Sequence, residues 1–503
     1  MELLNNVYLG FSVAFIPINL LFCFIGVLLG TLVGVLPGLG PAATIALLLP
    51  ITFSLSPETA IIMIAGIYYG AQYGGSTTSI LVNIPGEASS VVTCLDGYQM
   101  ARKGRAGQAL GMSAFGSFIG GTLSVIGLMF LGPVMAGFAL DFGPPEYFAL
   151  MLLGIVILTF LSKGAMARSF VSAALGLFVG TIGTDPIVGA LRYTYGTLTL
   201  MDGIGLVPVA MGLFGISEVL TNIESSRVRD VFRTKIKGLF PSRSDWKRSR
   251  GAIGRGSILG FFLGILPGGG AILAAFTSYA IEKRISRHPE EFGQGAIEGV
   301  AGPETANNAA TGGAMIPLLS LGIPSNVIMA LLIGAMMIHG IKPSCFLINE
   351  HPQVFWGVIT SMYLGNTLLL VLNLPLIPLW VRLLKIPYGI LFPLIVLFCL
   401  IGVYTVNANS AEILVMLVFG AIGYVMRKTG FDPAPLLFAM VIGPIMETAL
   451  RQSLLHSRGS FSVFLTRPIA AVLIFVSLFL LAAPLFPSLH RKRENMVKEG
   501  SED

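Results

Sequence analysis

Residues 30–40 read GTLVGVLPGLG and residues 260–270 read GFFLGILPGGG, so one stretch occurs twice at an offset of 230. Six of the eleven positions are identical. In each copy an apolar run ends at Leu-Pro-Gly, and a second apolar run follows at 42–49 or 271–280. Proline cannot continue the hydrogen-bond ladder of a helix, and glycine adopts backbone conformations that other residues avoid. The repeat therefore predicts a helix that is broken at corresponding places in two halves of the chain.

The composition is typical of a membrane protein. Hydrophobic residues make up 54% of the 503 residues and charged residues only 11%, whereas a soluble domain carries about a quarter charged residues. The apolar runs are continuous, which favours helices over the alternating strands of a transmembrane barrel. The four cysteines are far apart and show no disulfide framework or metal spacing. We predict an all-α polytopic membrane protein.

A charge-rich stretch divides the chain. Residues 224–250 contain nine Lys or Arg side chains against three acidic ones. We interpret it as part of a basic cytoplasmic linker at 223–255. The linker separates a first transmembrane repeat at 1–222 from a second at 256–488, and a cytoplasmic tail follows at 489–503.

Three further landmarks recur in the same order in both halves. They are Gly-Gly followed by Ile-Pro (74–85 and 312–324), an Asp-Pro turn (183–186 and 430–433), and Ala-Met followed by Ile-x-Glu (210–218 and 439–447). Four matching landmarks indicate a duplication, because any one of them alone would be chance.

Charge in the loops predicts that the two repeats face opposite ways. No Lys or Arg precedes Arg102, and the first basic cluster lies at 102–105, whereas the corresponding loop of the second repeat, 340–352, has a single Lys. Because basic loops stay in the cytoplasm, we expect a periplasmic N-terminus and a cytoplasmic C-terminus. The predicted fold is two inverted-topology repeats, with broken helices and hairpins meeting at a central site.

The motifs of common enzymes are absent from the sequence. No His is followed by Glu, no Gly by Lys, and no complete Gly-x-Ser-x-Gly occurs. The five histidines each stand alone, and the basic residues lie in short loops beside apolar runs. We therefore expect neither an enzyme nor a nucleic-acid-binding protein.

Small polar residues flank the predicted breaks, at 73–79 and 82–90 in copy one and at 302–313 and 320–326 in copy two. Each Ile-Pro predicts an extended turn followed by a helix, whose free backbone N–H groups bind carboxylates without needing arginine. No Lys or Arg lies in these breaks. The alternative is that the small residues only allow close helix packing. The residues predicted to bind substrate are Gly38, Gly40, Ser76, Thr77, Asn83, Pro85, Gly86, Gly268, Gly270, Pro324, Ser325 and Asn326.

Acidic residues in apolar surroundings are candidates for ion coupling, because a charge there is costly. Glu304 is the best of them, since Asn307, Asn308 and Thr311 follow it on the same stretch and oxygen atoms suit Na⁺. Four others are interpreted as structural, as turn or cap residues at Asp185 and Asp432 and as helix-end residues at Glu218 and Glu447.

The chain resembles the TctA family, the large membrane subunit of the tripartite tricarboxylate transporters. In the first half the resemblance is carried by GVLPGLGP (34–41), YGG (73–75), NIPG (83–86), LDGY (95–98) and GRAG (104–107). In the second half it is carried by GILPG (264–268) and GPETANNAA (302–310). It covers essentially the whole chain.

The resemblance implies a secondary transporter of the bacterial inner membrane, without a cofactor. It implies two partners, a small four-helix membrane subunit and a periplasmic solute-binding protein. It also implies carboxylate substrates, citrate being the prototype, and uptake coupled to Na⁺ or, as an alternative, to H⁺. Glu87, which follows Gly86, is expected to influence substrate choice. A stand-alone permease for another solute, an intramembrane enzyme, and a dimeric state stay open alternatives.

Overall fold

The computed structural model describes residues 2–36, 40–161, 166–185, 187–224, 238–266, 270–383 and 388–482. In the first half the helices are α1 (Glu2–Ala14), α2 (Pro17–Val35), α3 (Pro41–Thr52), α4 (Pro57–Val82), α5 (Val91–Thr93), α6 (Gln99–Arg102), α7 (Ala106–Ala139), α8 (Pro144–Leu161), α9 (Met166–Gly180), α10 (Leu206–Ala210) and α11 (Ser217–Glu224). Turns of 3₁₀-helix at Ala88–Ser90 and Leu198–Leu200 and of π-helix at Cys94–Tyr98 and Met211–Ile216 join some of them.

In the second half the helices are α12 (Arg243–Ile265), α13 (Gly270–Ile285), α14 (Glu298–Leu321), α15 (Val327–Ile338), α16 (Leu347–Glu350), α17 (Pro352–Asn373), α18 (Ile377–Leu383), α19 (Tyr388–Asn407), α20 (Ser410–Lys428), α21 (Ala434–His456), α22 (Val463–Thr466) and α23 (Pro468–Ala482), with a 3₁₀ turn at Pro289–Glu291. The strands of the described residues are β1 (Gly183–Thr184) and β2 (Leu191–Arg192), an antiparallel pair.

The helical, membrane-embedded class predicted from the sequence is confirmed. Six of the described helical segments are long and apolar enough to cross a membrane. They are Pro17–Val35, Ala106–Ala139, Leu206–Glu224, Pro352–Asn373, Ser410–Lys428 and Ala434–His456. Shorter apolar helices, such as α3 and α15, lie among them.

The helices break where the repeated motif predicts. Helix α2 ends at Val35 and α3 begins at Pro41, because proline at the first helical position loses no hydrogen bond. Helix α12 ends at Ile265, and α13 begins at Gly270. Gly38 and Gly268 lie outside the described residues.

The polar stretches beside the breaks are not themselves breaks. Residues 73–79 lie inside α4 and residues 302–313 inside α14, and both helices are continuous there. Some of their hydroxyls donate within the helix itself: Ser79 Oγ donates to the Gly75 carbonyl and Thr305 Oγ1 to the Ala301 carbonyl. Gly and Ser are weak helix formers in water but are common in packed membrane helices.

The two halves repeat one packing arrangement. Glycines at every fourth position of α2 and α12 lie so close to the carbonyls of α4 and α14 that a Cβ would clash. The pairs are Gly26–Met63, Gly30–Ile67 and Gly34–Ala71 in the first half, and Gly256–Gly302, Gly260–Ala306 and Gly264–Ala310 in the second. The offset is therefore 230 between α2 and α12 and 239 between α4 and α14.

This register corrects one detail of the sequence comparison. Gly74 approaches Thr31 as Gly313 approaches Phe261, so Gly74 corresponds to Gly313 rather than to Gly312. The Ile-Pro pairs at 84–85 and 323–324 already have the offset of 239. A Gly-Gly pair in each half had suggested the shifted alignment.

The charge-rich stretch at 224–250 ends in a helix rather than a loop. Helix α12 begins at Arg243, where Ser242 and Asp245 form a capping box in which Ser242 Oγ accepts from the Asp245 backbone N–H at 3.1 Å. The basic residues from Arg243 to Arg250 therefore lie on the first turns of a helix that continues into the apolar layer.

Candidate functional site

The first and second halves meet at a close crossing of α7 and α14. Gly116 and Gly120 of α7 leave room for Thr305 of α14, because a Cβ at either glycine would clash with it. Between those glycines Ser117 faces Glu304, the residue that precedes Thr305. The crossing thus places a hydroxyl of the first half beside an acidic residue of the second half.

Glu304 is buried, with 1% of its surface exposed, and three elements of the first half surround it. Ser76 of α4 donates to its Oε2 at 2.5 Å, Ser117 of α7 lies at 3.4 Å from the same oxygen, and Thr93 of α5 donates to its Oε1. These partners are all hydroxyl groups. Within the described residues, no Lys or Arg forms an ion pair with Glu304.

Asn308 adds an amide group to the hydroxyl groups around Glu304. Its Nδ2 donates to Ser117 Oγ at 2.7 Å and to the Glu304 carbonyl at 3.1 Å. Its Oδ1 is buried and has no hydrogen-bond partner among the described residues, and neither has the hydroxyl of Tyr73. A buried amide oxygen without a donor costs about 1–3 kcal/mol, so it is an available ligand. Thr311 instead donates to the Asn308 carbonyl at 2.6 Å, within its own helix.

Gln72 joins the Glu304 cluster to the turn that follows α4, which we call the first break. Its backbone carbonyl oxygen lies 3.1 Å from Ser76 Oγ, one helical turn away. Its side-chain amide is satisfied when the nitrogen faces Glu87 Oε1 at 2.5 Å and Asn307 Oδ1 at 2.8 Å. Asn307, predicted from the sequence, therefore lies beside Gln72 rather than in contact with Glu304.

The first break shows packing at the positions that were predicted to bind substrate. Asn83 ends α4 in the left-handed conformation, with φ of 57°. Gly86 leaves no room for a Cβ, which would clash with the Gly34 carbonyl and with Gly75. At Gly86 the packing alternative raised by the sequence therefore describes the contacts.

The turn that follows α14, which we call the second break, is organised around Asn326. Its Oδ1 caps α15 by accepting from the Met329 backbone N–H at 2.9 Å, and its Nδ2 donates to the Tyr68 hydroxyl at 3.2 Å. A Cβ at Gly270, where α13 begins, would lie 3.6 Å from the Asn326 amide nitrogen. Asn326 therefore connects the start of α13, the start of α15 and helix α4.

The remaining predicted substrate residues divide into those near this group and those apart from it. Gly40 caps α3 and has open space around its Cα. Ser325 is buried and its Oγ donates to the Ala314 carbonyl at 3.4 Å. Ser76 faces Glu304, so it belongs with the predicted cation residues. Within the described part of the chain, no side-chain polar contact is found for Thr77, which is buried, or for Pro85 and Pro324.

Sequence reasoning missed several residues of this site. Tyr68 and Gln72 precede Ser76 by eight and four positions on α4, so helical spacing from Ser76 was a usable signal. Thr93 and Ser117 gave no such signal, because they lie outside the repeated motifs and reach Glu304 only through the tertiary fold.

The structural interpretation of Asp185 agrees with its contacts. Its Oδ1 accepts from the backbone N–H of Ile187 at 2.8 Å, and Arg451 Nη1 lies 2.9 Å from its Oδ2. Burial raises the pKa of Asp185, but the hydrogen bonds from Ile187, Val188, Arg192 and Arg451 lower it by more, to well below its usual range. Glu447 is paired with Arg192, and Glu218 with Arg427 at 2.5 Å.

A second buried carboxylate binds the two halves together away from Glu304. Asp96 accepts from the backbone N–H groups of Gly293, Gly295 and Ala296 at 2.7–2.9 Å and from the Tyr279 hydroxyl at 2.9 Å. These donors lie in α13 and in the loop that precedes α14. The LDGY motif thus holds the segment after the first break against the second half.

The fold and the site together define a class: a helical membrane protein with a buried, hydroxyl-bound carboxylate next to two helix breaks. The chain matches the family described as the tripartite tricarboxylate transporter TctA family over residues 20–438. It belongs to that family, and the family makes it a permease of the tricarboxylate transporter type.

Two relatives from Agrobacterium vitis are both described as uncharacterized. The chain is 51% identical over 499 residues, 99% of each chain, to a 52.8 kDa protein in the TAR-I ttuC' 3' region. It is 51% identical over 240 residues to a protein in the TAR-II ttuC' 3' region, which covers 48% of this chain and 99% of the relative. No solved structure matches the chain.

Proposed function

We propose that the chain is the large permease subunit of a binding-protein-dependent secondary transporter, which imports di- or tricarboxylates by cation-coupled alternating access. The observation that carries the proposal is Glu304, a carboxylate buried at 1% exposure whose partners are neutral hydroxyls. A buried carboxylate without a basic partner is a candidate for binding a cation that arrives and leaves, because an unneutralised charge inside the membrane is costly.

The surroundings of Glu304 favour a cation with oxygen ligands. The Ser76, Thr93 and Ser117 hydroxyls lie on separate elements and surround one carboxylate. The unpartnered Asn308 Oδ1 supplies a further oxygen nearby. Na⁺ is the ion proposed first, since hydroxyl and amide oxygens coordinate it. A proton on Glu304 is the alternative, because protonation also removes the buried charge.

The helix breaks would hold the substrate. The first turns of α3 and α13 start at Pro41 and Gly270, and backbone N–H groups in a first turn have no intrahelical acceptor. Carboxylates bind such donors, and Asn326 stands beside the start of α13. Gly38 and Gly268 are proposed to contribute further N–H groups.

Coupling between the two ligands would be electrostatic. The side chain of Gln72 contacts Glu87 and Asn307, and its backbone carbonyl lies beside Ser76 Oγ. Ser76 Oγ in turn donates to Glu304. A cation at Glu304 lowers the negative potential at the neighbouring break and favours an anionic substrate there. By linkage, the substrate then raises the affinity for the cation by the same factor.

The remaining assignments follow the family. We place the chain in the bacterial inner membrane with a periplasmic N-terminus, its two repeats inverted, beside a small four-helix membrane subunit. A periplasmic solute-binding protein would deliver the substrate. Transport in this scheme involves no chemical change of the substrate.

The test is uptake of a labelled carboxylate panel, citrate included, into proteoliposomes containing the chain and its two partners. Three conditions are compared: an imposed sodium gradient, an imposed proton gradient, and neither. Accumulation of a carboxylate under one gradient supports the proposal and names the ion. No accumulation of any carboxylate by an intact complex would overturn it.

A further inference from the structure

The break after α4 and the break after α14 follow the same course residue by residue. At the offset of 239, Asn83 corresponds to Gly322, and both end their helix with positive φ, 57° and 69°. Four positions later, Glu87 corresponds to Asn326, and each is the N-cap of the helical turn that follows. The two breaks thus present different side chains from one backbone position.

Glu87 and Asn326 contact neighbouring turns of α4. Asn326 Nδ2 donates to the Tyr68 hydroxyl at 3.2 Å, and Glu87 Oε1 lies 2.5 Å from the side-chain amide nitrogen of Gln72, one helical turn further along. Both side chains are partly exposed, whereas Glu304 is buried. The pair therefore lies on the accessible side of the site, where a substrate would arrive.

The structure provides a specific place for the Glu87 side chain. A Cβ at Gly75 would lie 2.9 Å from Glu87 Cγ, so the absence of a side chain at 75 admits Glu87. The corresponding residue in α14 is Ala314, opposite the smaller Asn326. Glu87 accepts from the Ser90 backbone N–H and from Gln72, and no Lys or Arg of the described residues pairs with it.

A carboxylate in that place changes what the first break can bind. The Glu87 carboxyl group accepts from the Ser90 backbone N–H and from Gln72, so these donors are not free for an anionic substrate. A second carboxylate brought there finds the donors occupied, whereas a hydrogen-bond donor on the substrate can be accepted by the Glu87 oxygens.

We propose that Glu87 determines specificity: it makes the first break select a neutral, hydrogen-bond-donating end of the substrate, so that the substrate's carboxylates are held on the Asn326 side. The proposal rests on the proposed carboxylate transport. The expected substrate class is dicarboxylates in preference to tricarboxylates.

The experiment measures competition for uptake of a labelled dicarboxylate by the full complex, using unlabelled di- and tricarboxylates. The variants are Glu87→Asn, which copies the second break, and Glu87→Gln, which keeps the side-chain size if the smaller residue disturbs folding. Each should shift the ratio of half-inhibitory concentrations toward tricarboxylates by about tenfold, the effect of about 1.4 kcal/mol. The control is Glu412→Gln, which removes a buried carboxylate bonded to Asn407, outside the site.

A shift in the ratio in either Glu87 variant, with the Glu412 variant unchanged, supports the assignment. An unchanged ratio in folded, transport-active Glu87 variants overturns it and leaves carboxylate transport in place. Absence of all carboxylate uptake by the unmodified complex would instead overturn the proposed function and this inference with it.

Discussion

The two halves of the molecule share a scaffold and differ in chemistry. Helices α2 and α4 pack through the same glycine-to-carbonyl contacts as α12 and α14, at constant offsets of 230 and 239. Yet Glu304 of α14 corresponds to Ala65 of α4, and Asn326 of the second break corresponds to Glu87 of the first. The glycine-to-carbonyl contacts are common to the two halves, whereas the polar residues beside them differ.

The difference assigns separate tasks to the halves. The second half supplies the buried carboxylate, while the first half supplies the hydroxyls of Ser76, Thr93 and Ser117 that surround it. Neither half could build this group alone. The proposed cation site is therefore a property of the interface between the repeats.

The largest expected effect tests this asymmetry. Glu304→Gln keeps the side-chain size and removes the charge that Ser76, Thr93 and Ser117 surround. Gradient-driven uptake should fall about 100-fold or more, because the loss of a charged partner costs about 3 kcal/mol. Uptake into proteoliposomes measures it, with Glu412→Gln as the control. Uptake at the unmodified level in Glu304→Gln would remove Glu304 from the mechanism.

The shared scaffold predicts equal sensitivity of the two halves to packing changes. Gly34→Ala and Gly264→Ala each place a Cβ against the carbonyl of Ala71 or Ala310. Each should destabilise the protein by about 1–3 kcal/mol, the usual cost of overpacking. Thermal unfolding of the purified protein in detergent measures the effect.

Gly137→Ala is the matched control for these two variants. It is also a glycine in a helix, but among the described residues no atom outside its own stretch of helix backbone lies within 4 Å of the position that a Cβ would take. It should therefore not lower the unfolding temperature. Sensitivity in one half alone would mean that the packing is not equivalent.

The Asp96 clamp belongs to one half only, because the corresponding position of the second half is Ala335. Asp96→Asn removes the charge that three backbone N–H groups and Tyr279 share. We expect a loss of stability of about 1–3 kcal/mol. Tyr279→Phe, which removes one of the four donors, should cost less in the same unfolding measurement. A larger loss from Tyr279→Phe would show that the backbone donors contribute little.

The smallest effect concerns the ends of α4 and α14. Asn83→Gly copies Gly322 at a position where φ is already 57°, so stability should change by no more than about 0.5 kcal/mol. The reverse change, Gly322→Asn, sets a Cβ against the Pro343 carbonyl and should cost about 1–3 kcal/mol. Equal effects of both changes would contradict the difference between the two breaks.

The sequence predicted those features that depend on residues close together in the chain. Proline and glycine in the repeated motif marked where α2 and α12 end, and continuous apolar runs identified a helical membrane protein. Glu304 was found because a lone acidic residue among small apolar ones is conspicuous. Asn326 was found because it follows a proline at the start of an apolar run.

Features that depend on distant contacts were not predicted. Thr93 and Ser117 approach Glu304 from segments about 190–210 positions away in the chain. The packing that stabilises the small residues of α4 and α14 also comes from other helices. The packing role of Gly86 could not be predicted either, because the lack of space at this position comes from Gly34 and Gly75, which are distant in the chain or on another helix.

The central claim is that the driving cation binds at Glu304, and simultaneous measurement of ion and substrate flux tests it most directly. Radioactive sodium and a labelled carboxylate are followed together in proteoliposomes with the complete complex, while external pH reports proton movement. We predict a fixed ratio of cation to carboxylate in the unmodified protein and loss of the accompanying cation flux in Glu304→Gln. A Glu304→Gln complex that carries the cation with the substrate at the unmodified ratio would contradict the account.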